Sequence, residues 1–519
     1  MSMPVRVRAV SVVALAAFAP ALAPAVAPGA LLASAGSAVA ATTTGSLSVT
    51  PARYIAGQAV RFRGHLGNRA RAVHLQSNMN RPGDTWVDVP DSAFRTDDTG
   101  DFDFSFRAPA MFNLSYRVVA GGRATPSYLF TASPQELTLT PLGGDPEYPF
   151  YRVPAGTPFT AVVDTTPSVR GTFGTPPPIP GRTVTLQERT APDRWETIGT
   201  GTTDADGRAL FTVTAPASGT EVLRARQERW TEGGSEIGWF ASFPAYFAVS
   251  GDGTVDEPST HATVRDRTPQ SPYRPTASQH YRWGRVRYDF AWEHGQDLDS
   301  PPSKGDVRGG RWRDTSDGTG RATPFNGGLV LQSKLRHVGP GDRGTTTATM
   351  HGAAQRYGRW EFRLQGRTWE TGAQPYRFRL ELVPAHSEVT DCSPQSIVLA
   401  DVTMGSPGLA FGVRSQSAGT VWQRRLAHVR LADQPFNVAV EVAKGHLTWF
   451  RDGKPIGSVT DDRAQLGVKL VPRLSLIGEP DVEMNGAQVN SDWQRSWTLR
   501  HGRQVTSRRA LPSAPYSSC

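Results

Sequence analysis

The chain repeats itself. Gly100 is followed eight residues later by Ala108-Pro109-Ala110 and then by Tyr116-Arg117. Gly207, 107 residues further on, is followed eight residues later by Ala215-Pro216-Ala217 and then by Leu223-Arg224. Each copy carries an upstream tryptophan (Trp86, then Trp195) and an Asp/Gly turn. Short alternating runs flank the turns, such as Phe102-Asp103-Phe104-Ser105-Phe106 and Val184-Thr185-Leu186. Alternation sends successive side chains to opposite faces of a strand, and short strands between turn signals predict antiparallel sandwiches. Gly and Pro, 52 and 41 of 519 residues, fit such a turn-rich chain. No helical period of useful length is visible, so the predicted fold class is all-β.

The first forty residues read as an address. Arg6 and Arg8 precede an Ala/Val/Leu/Pro stretch that ends in Ala38-Val39-Ala40, a small-x-small site. This pattern predicts export with cleavage after Ala40. Pro20, Pro24 and Pro28 break the apolar run, which argues against an uncleaved anchor. No later apolar run is long enough to span a bilayer, so no integral membrane segment is expected in the mature chain. Losing Arg6 and Arg8 takes the formal charge from +9 to +7. The excess is uneven: residues 251–519 hold 35 basic against 27 acidic side chains. A basic C-terminal half suits anionic polymers or a phosphate-bearing cell wall, or is simply a solvated arginine-rich surface. Basic motifs interleaved with aromatics are missing, which excludes a nucleic-acid partner of the familiar kinds.

Residues 41–133 and 134–250 are the two repeated modules. They resemble the bacterial immunoglobulin-like modules of secreted proteins, without paired cysteines, and would serve as spacers or bind ligand. Residues 251–277, beginning Gly251-Asp252-Gly253 and rich in Ser, Thr and Pro, read as a linker. From 278 the strands lengthen. Arg359-Trp360-Glu361-Phe362-Arg363-Leu364 alternates, as does Tyr376-Arg377-Phe378-Arg379-Leu380-Glu381-Leu382. Phe436–Val442, then Leu447–Phe450 ending at Asp452-Gly453, reads as a hairpin series. This third domain is placed at 278–500, with a tail at 501–519.

Four segments of the third domain carry a family resemblance. They are Asn326-Gly327-Gly328-Leu329-Val330-Leu331, Tyr357-Gly358-Arg359-Trp360-Glu361-Phe362-Arg363, the hairpin His446–Gly453, and Ser491-Asp492-Trp493. In this order they resemble family 16 glycoside hydrolases of the laminarinase type. The resemblance implies a concanavalin A-like jelly-roll sandwich with a sugar-binding cleft, and a polysaccharide as partner. That family carries Glu-x-Asp-x-x-Glu on one strand. Retaining hydrolysis needs two carboxyl groups about 5–5.5 Å apart. The corresponding stretch here is Ser396-Ile397-Val398-Leu399-Ala400-Asp401. Ser396 stands at the nucleophile position, Val398 at the helper position, and Asp401 alone keeps a carboxylate. On the neighbouring strand Arg377 and Glu381 stand where the family has tryptophans.

Alternation alone puts Arg377, Arg379 and Glu381 on one face, opposite Tyr376, Phe378, Leu380 and Leu382. Guanidinium forks there suit the carboxylates or sulfates of an anionic saccharide; pairing among the charges themselves is the alternative. Glu381 and Asp401 are the candidates for a replacement catalytic pair or for structural salt bridges. Trp369 and Trp422 are candidate sugar platforms or core residues. A lyase using Tyr376, His386, Arg377 and Arg379 has the right residue types without the strand motifs. The leading expectation is engagement of extracellular or cell-wall carbohydrate without the family's usual hydrolysis. Its rivals are a glycosidase with an unusual carboxylate pair and a surface protein with a vestigial cleft.

The eleven histidines show no metal spacing. No cofactor is expected, and no stretch is specific enough to assign the structural calcium that family 16 domains can hold. Cys392 and Cys519 are the only cysteines. Export permits a disulfide between them; free thiols, or an intermolecular link through Cys519, are the alternatives.

Overall fold

The computed structural model describes residues 42–52, 54–80, 83–89, 92–108, 114–130, 135–144, 150–165, 178–191, 194–232, 235–249, 263–264, 274–292, 295–305, 309–325, 327–333, 344–370, 374–386, 395–415, 421–431, 435–479, 482 and 484–509. The segment read as an export signal, Asn326, Cys392 and Cys519 lie outside them. The described chain is all-β apart from one helical turn, Ala277–His280, and the short 3-10 turn Asp462–Ala464.

Each repeat is a sandwich of a three-stranded sheet on a larger one. In the first, Ser46–Thr50, Ala59–His65 and Asp101–Arg107 form the small sheet, and Ala72–Asn78 pairs Leu114–Ala120 in the large one. In the second, Thr138–Pro141, Pro158–Asp164 and Arg208–Thr214 form the small sheet, and Thr183–Ala191 pairs Thr220–Gln227. The repeat reaches side-chain detail. Arg117 lies 4.2 Å over the Trp86 ring and donates from Nε and Nη2 to Gln76 Oε1 at 3.0 and 2.7 Å. Arg224 lies 4.2 Å over the Trp195 ring and donates from Nε to Gln187 Oε1 at 2.9 Å. In both copies the glutamine stands directly opposite the arginine across the sheet.

The third and largest unit packs two sheets on a common core. One runs in the order Lys304–Gly305, Tyr288–Phe290, Gly486–Trp497, Gly358–Glu370, Phe436–Ala443, His446–Arg451, Lys454–Val459. The other runs Arg311–Asp314, Thr346–His351, Leu470–Ile477, Arg377–Pro384, Ser396–Thr403, Leu409–Arg414, Val421–Leu426. Trp312, Trp360, Trp449, Phe362, Phe378 and Phe411 fill the space between. The hairpin at Asp452-Gly453 is tight because Arg451 pairs Lys454 across two residues of positive φ, 47° and 75°. Within the stretch read as a linker, Thr263–Val264 pairs with Trp369 and Glu370.

The second repeat is docked on this unit. Trp239 joins the core cluster of the large sandwich, and its indole Nε1 donates to Asp299 Oδ2 at 2.8 Å. Arg229 donates from Nε and Nη2 to the two oxygens of Asp297 at 2.7 and 2.9 Å. Arg321 reaches back to the carbonyl of Ala241 and to Glu136, each at 2.8 Å.

Candidate functional site

The Arg377–Pro384 strand is central in the second sheet, between Leu470–Ile477 and Ser396–Thr403. Its alternation works as the residues dictate. Phe378, Leu380 and Leu382 enter the core, and Arg377, Arg379 and Glu381 share the opposite face. The Ser396–Thr403 strand contributes Asp401, brought opposite Arg379 by a register shift between Leu380 and Glu381. A second shift, between Val398 and Asp401, interrupts its pairing with Leu409–Arg414. Such irregularities re-aim side chains. Here they let Asp401 meet two arginines at once.

Arg377 donates from Nε to Asp401 Oδ1 at 2.6 Å and from Nη2 to Oδ2 at 2.5 Å. Arg379 Nε donates to the same Oδ2 at 3.3 Å. The Asp401 and Arg379 side chains are each 3 % exposed, whereas Arg377 is 30 % exposed. Both oxygens of Asp401 are therefore engaged by guanidinium. Glu381 stands opposite Val398, not Asp401, and its Oε1 accepts from Nε and Nη2 of Arg473 at 3.1 and 2.8 Å. The two carboxylates are held by separate arginines. Beside them Thr347 Oγ1 donates to Ser475 Oγ at 3.2 Å.

Ser396 is buried at the start of its strand, opposite Arg414. Trp369 lies on the other sheet, in the Gly358–Glu370 strand, paired with Gly486 and Val264. Trp422 falls on the edge strand Val421–Leu426, in register with Val413. Cys392, on which a disulfide reading depends, lies outside the described residues with Cys519. Among the described residues no group of three or more His, Cys, Asp or Glu is placed to hold a metal ion.

Arg473 was not singled out in the sequence, although Leu470–Ile477 alternates Leu474 and Leu476 against Arg473 and Ser475. The Tyr357-Gly358-Arg359-Trp360-Glu361 segment, which carries much of the resemblance, is spent on architecture. Arg359 Nε donates to the buried Glu441 Oε2 at 2.6 Å and its Nη1 donates to the carbonyl of His501. Glu361 accepts from the backbone N–H groups of Ala277 and Ser278, at 2.5 and 3.3 Å. Burial pushes the Glu361 carboxyl up to about 7.

No protein-family model and no curated protein matches this chain. Solved structures do. One is reported with endo-acting O-glycanases of the human gut microbiota that initiate mucin breakdown; identity is 14%, over 41% of this chain and 100% of that one, with a TM-score of 0.33. Another is a non-specific endo-beta-1,3(4)-glucanase from family GH16, at 11% identity over 42% of this chain and 91% of that one, TM-score 0.31. A third is the laminarinase from Rhodothermus marinus, at 12% identity over 41% and 96%, TM-score 0.29.

Proposed function

We propose that this is an exported protein, matured after Ala40, whose large sandwich engages extracellular or cell-wall polysaccharide without the two-carboxylate hydrolysis of family 16 enzymes. The two repeats, read as immunoglobulin-like modules, act as the support on which that sandwich is presented. The observation that carries the proposal is the state of Asp401. It is the one carboxylate left on the strand that resembles the family's catalytic strand, and both its oxygens are taken by Arg377 and Arg379. A general acid or nucleophile needs a free oxygen aimed at the reacting bond. Glu381, the other carboxylate on this face, is held by Arg473.

The test uses the mature full-length chain and a panel of β-glucans, galactans and uronate polymers, reading binding and reducing-end release from the same samples. Binding without release is the expected result. Release that disappears with Asp401→Asn would replace this reading with a working glycosidase. Absence of binding to every polymer would leave a structural surface protein.

A further inference from the structure

At one end of the same sheet lies a cavity of 850 Å³ lined by His351, Arg356, His386 and Lys469, its remaining lining being glycine, alanine, proline and valine. Among the described residues, no carboxylate lines it. The walls come from three neighbouring strands where they end: Thr346–His351, Arg377–Pro384 and Leu470–Ile477. Two-residue alternation puts Lys469 on the face of Arg473, and His351 on the face of Thr347 and Thr349. Lys469 lies four residues from Arg473, about 13 Å along a strand.

The walls are tied together by backbone. The Ala385 N–H donates to the Lys469 carbonyl at 2.9 Å, and Gln355 and Leu470 exchange hydrogen bonds at 3.2 and 3.0 Å. Gly352 and Ala353 both hold positive φ, 74° and 55°, in the turn that separates His351 from Arg356. Left-handed backbone at a non-glycine residue is uncommon, and here it brings a histidine and an arginine from one turn onto one cavity.

We propose that this cavity binds an oxyanion: the carboxylate, sulfate or phosphate group of an acidic saccharide chain, or the same group on a small free anion. The charge character expected of the Arg377 and Arg379 face belongs instead to this cavity, because those two arginines already serve Asp401. Arg356 supplies a planar fork of donors suited to such a group, and Lys469 adds a point charge. The inference goes beyond the carbohydrate reading, since a free anion would occupy the cavity even if the sandwich engaged no sugar.

The test measures binding of dextran sulfate and of uncharged dextran of equal length to the mature full-length protein. Inorganic sulfate serves as competitor against chloride at matched ionic strength. Arg356→Gln/Lys469→Gln is compared with Lys454→Gln/Arg503→Gln; all four side chains are exposed, and the control pair removes the same two charges from positions that do not line the cavity. The cavity double should weaken dextran sulfate binding about tenfold or more while the control double stays near wild type, because charges gathered around one cavity rather than net charge make the site. Displacement by inorganic sulfate alone identifies the free anion as sufficient. Displacement by neither salt, with dextran sulfate still held by the cavity residues, identifies the polymer. Equal losses in both doubles, or no preference for dextran sulfate over dextran, would overturn the proposal. Unchanged unfolding temperatures in both doubles separate these outcomes from misfolding. Failure of the carbohydrate reading alone would show differently, as dextran sulfate held through Arg356 and Lys469 and displaced by inorganic sulfate, with no affinity for uncharged dextran, β-glucan or galactan.

Discussion

Glu381 and Arg473 stand directly opposite each other on neighbouring strands, and a single carboxylate oxygen, Oε1, takes two of the arginine's N–H groups at 3.1 and 2.8 Å. Both side chains are nearly sealed from solvent, at 3 % and 2 % exposure. Removing one partner strands a charge in a site that water does not reach. Arg473→Ala or Glu381→Ala is therefore expected to cost about 3–5 kcal/mol. The apolar double Glu381→Leu/Arg473→Met should recover most of that loss, because a buried pair replaced as a unit is close to neutral. Denaturant midpoints of the three variants check this. A double as unstable as the singles would show that the pair contributes more than its own desolvation takes away.

The docking of the second repeat changes what a fragment of this protein will do. Asp297 is fully buried and accepts from Nε and Nη2 of Arg229, while Trp239 sits in the large core. A fragment beginning at 278 keeps Asp297 and loses both of these. It should unfold at a clearly lower temperature than one beginning at 135, and Trp239→Ala in the longer chain should cost about 3–5 kcal/mol. Scanning calorimetry of the two fragments decides the point; equal unfolding temperatures would mean that the interface is passive.

The repeated arginine–tryptophan stacks offer an internal comparison. Both pairs are half-buried, and burial lowers the Arg117 guanidinium beside Trp86 too. Around Trp195, burial draws the Arg224 guanidinium down to about 10, against the opposing pull of Asp314. Arg189 adds a second cation 5.7 Å from the Trp195 ring and donates to Tyr246 Oη at 2.9 Å. Stacks of this kind contribute about 0.5–1 kcal/mol when exposed and about 2 kcal/mol when desolvated. Trp195→Ala should therefore destabilise the protein more than Trp86→Ala, as read by hydrogen exchange of the two repeats.

Much of this was legible from short-range pattern. The alternation in Tyr376–Leu382 sorted core from charged face correctly, because side-chain direction along a strand is a local property. The repeat at Arg117 and Arg224 was visible for the same reason, as was the Asp452-Gly453 turn. The partners of the charged residues were not. Arg473 meets Glu381 across 92 positions of sequence, and only the register of two distant strands decides that meeting. Trp239 reads as an ordinary aromatic at the end of the second repeat, since nothing local says that the next unit's core will take it. Glu361 was seen as part of a motif, while its actual role depends on a turn 84 positions away.

That role makes Glu361 the group with the clearest pH signature. It is fully buried, and it accepts from the first backbone N–H groups of the Ala277–His280 turn. Burial is the largest influence and raises its pKa from 4.5 to about 7; the hydrogen bonds from Ser278 and Ala277 and the charge of Arg495 act in the opposite direction. The folded protein therefore binds a proton here that the unfolded chain has already released. Stability contributed by this site is complete below pH 4.5 and declines as pH rises toward 7, by a total of about 3 kcal/mol. Glu361→Gln removes the titration. The difference in unfolding free energy between wild type and this variant should thus drift in the variant's favour between pH 4.5 and 7 and level off above it. Denaturant melts at half-unit pH steps measure that drift. A difference that stays flat, or moves the other way, would mean that the two backbone N–H groups outweigh burial and keep the carboxylate charged.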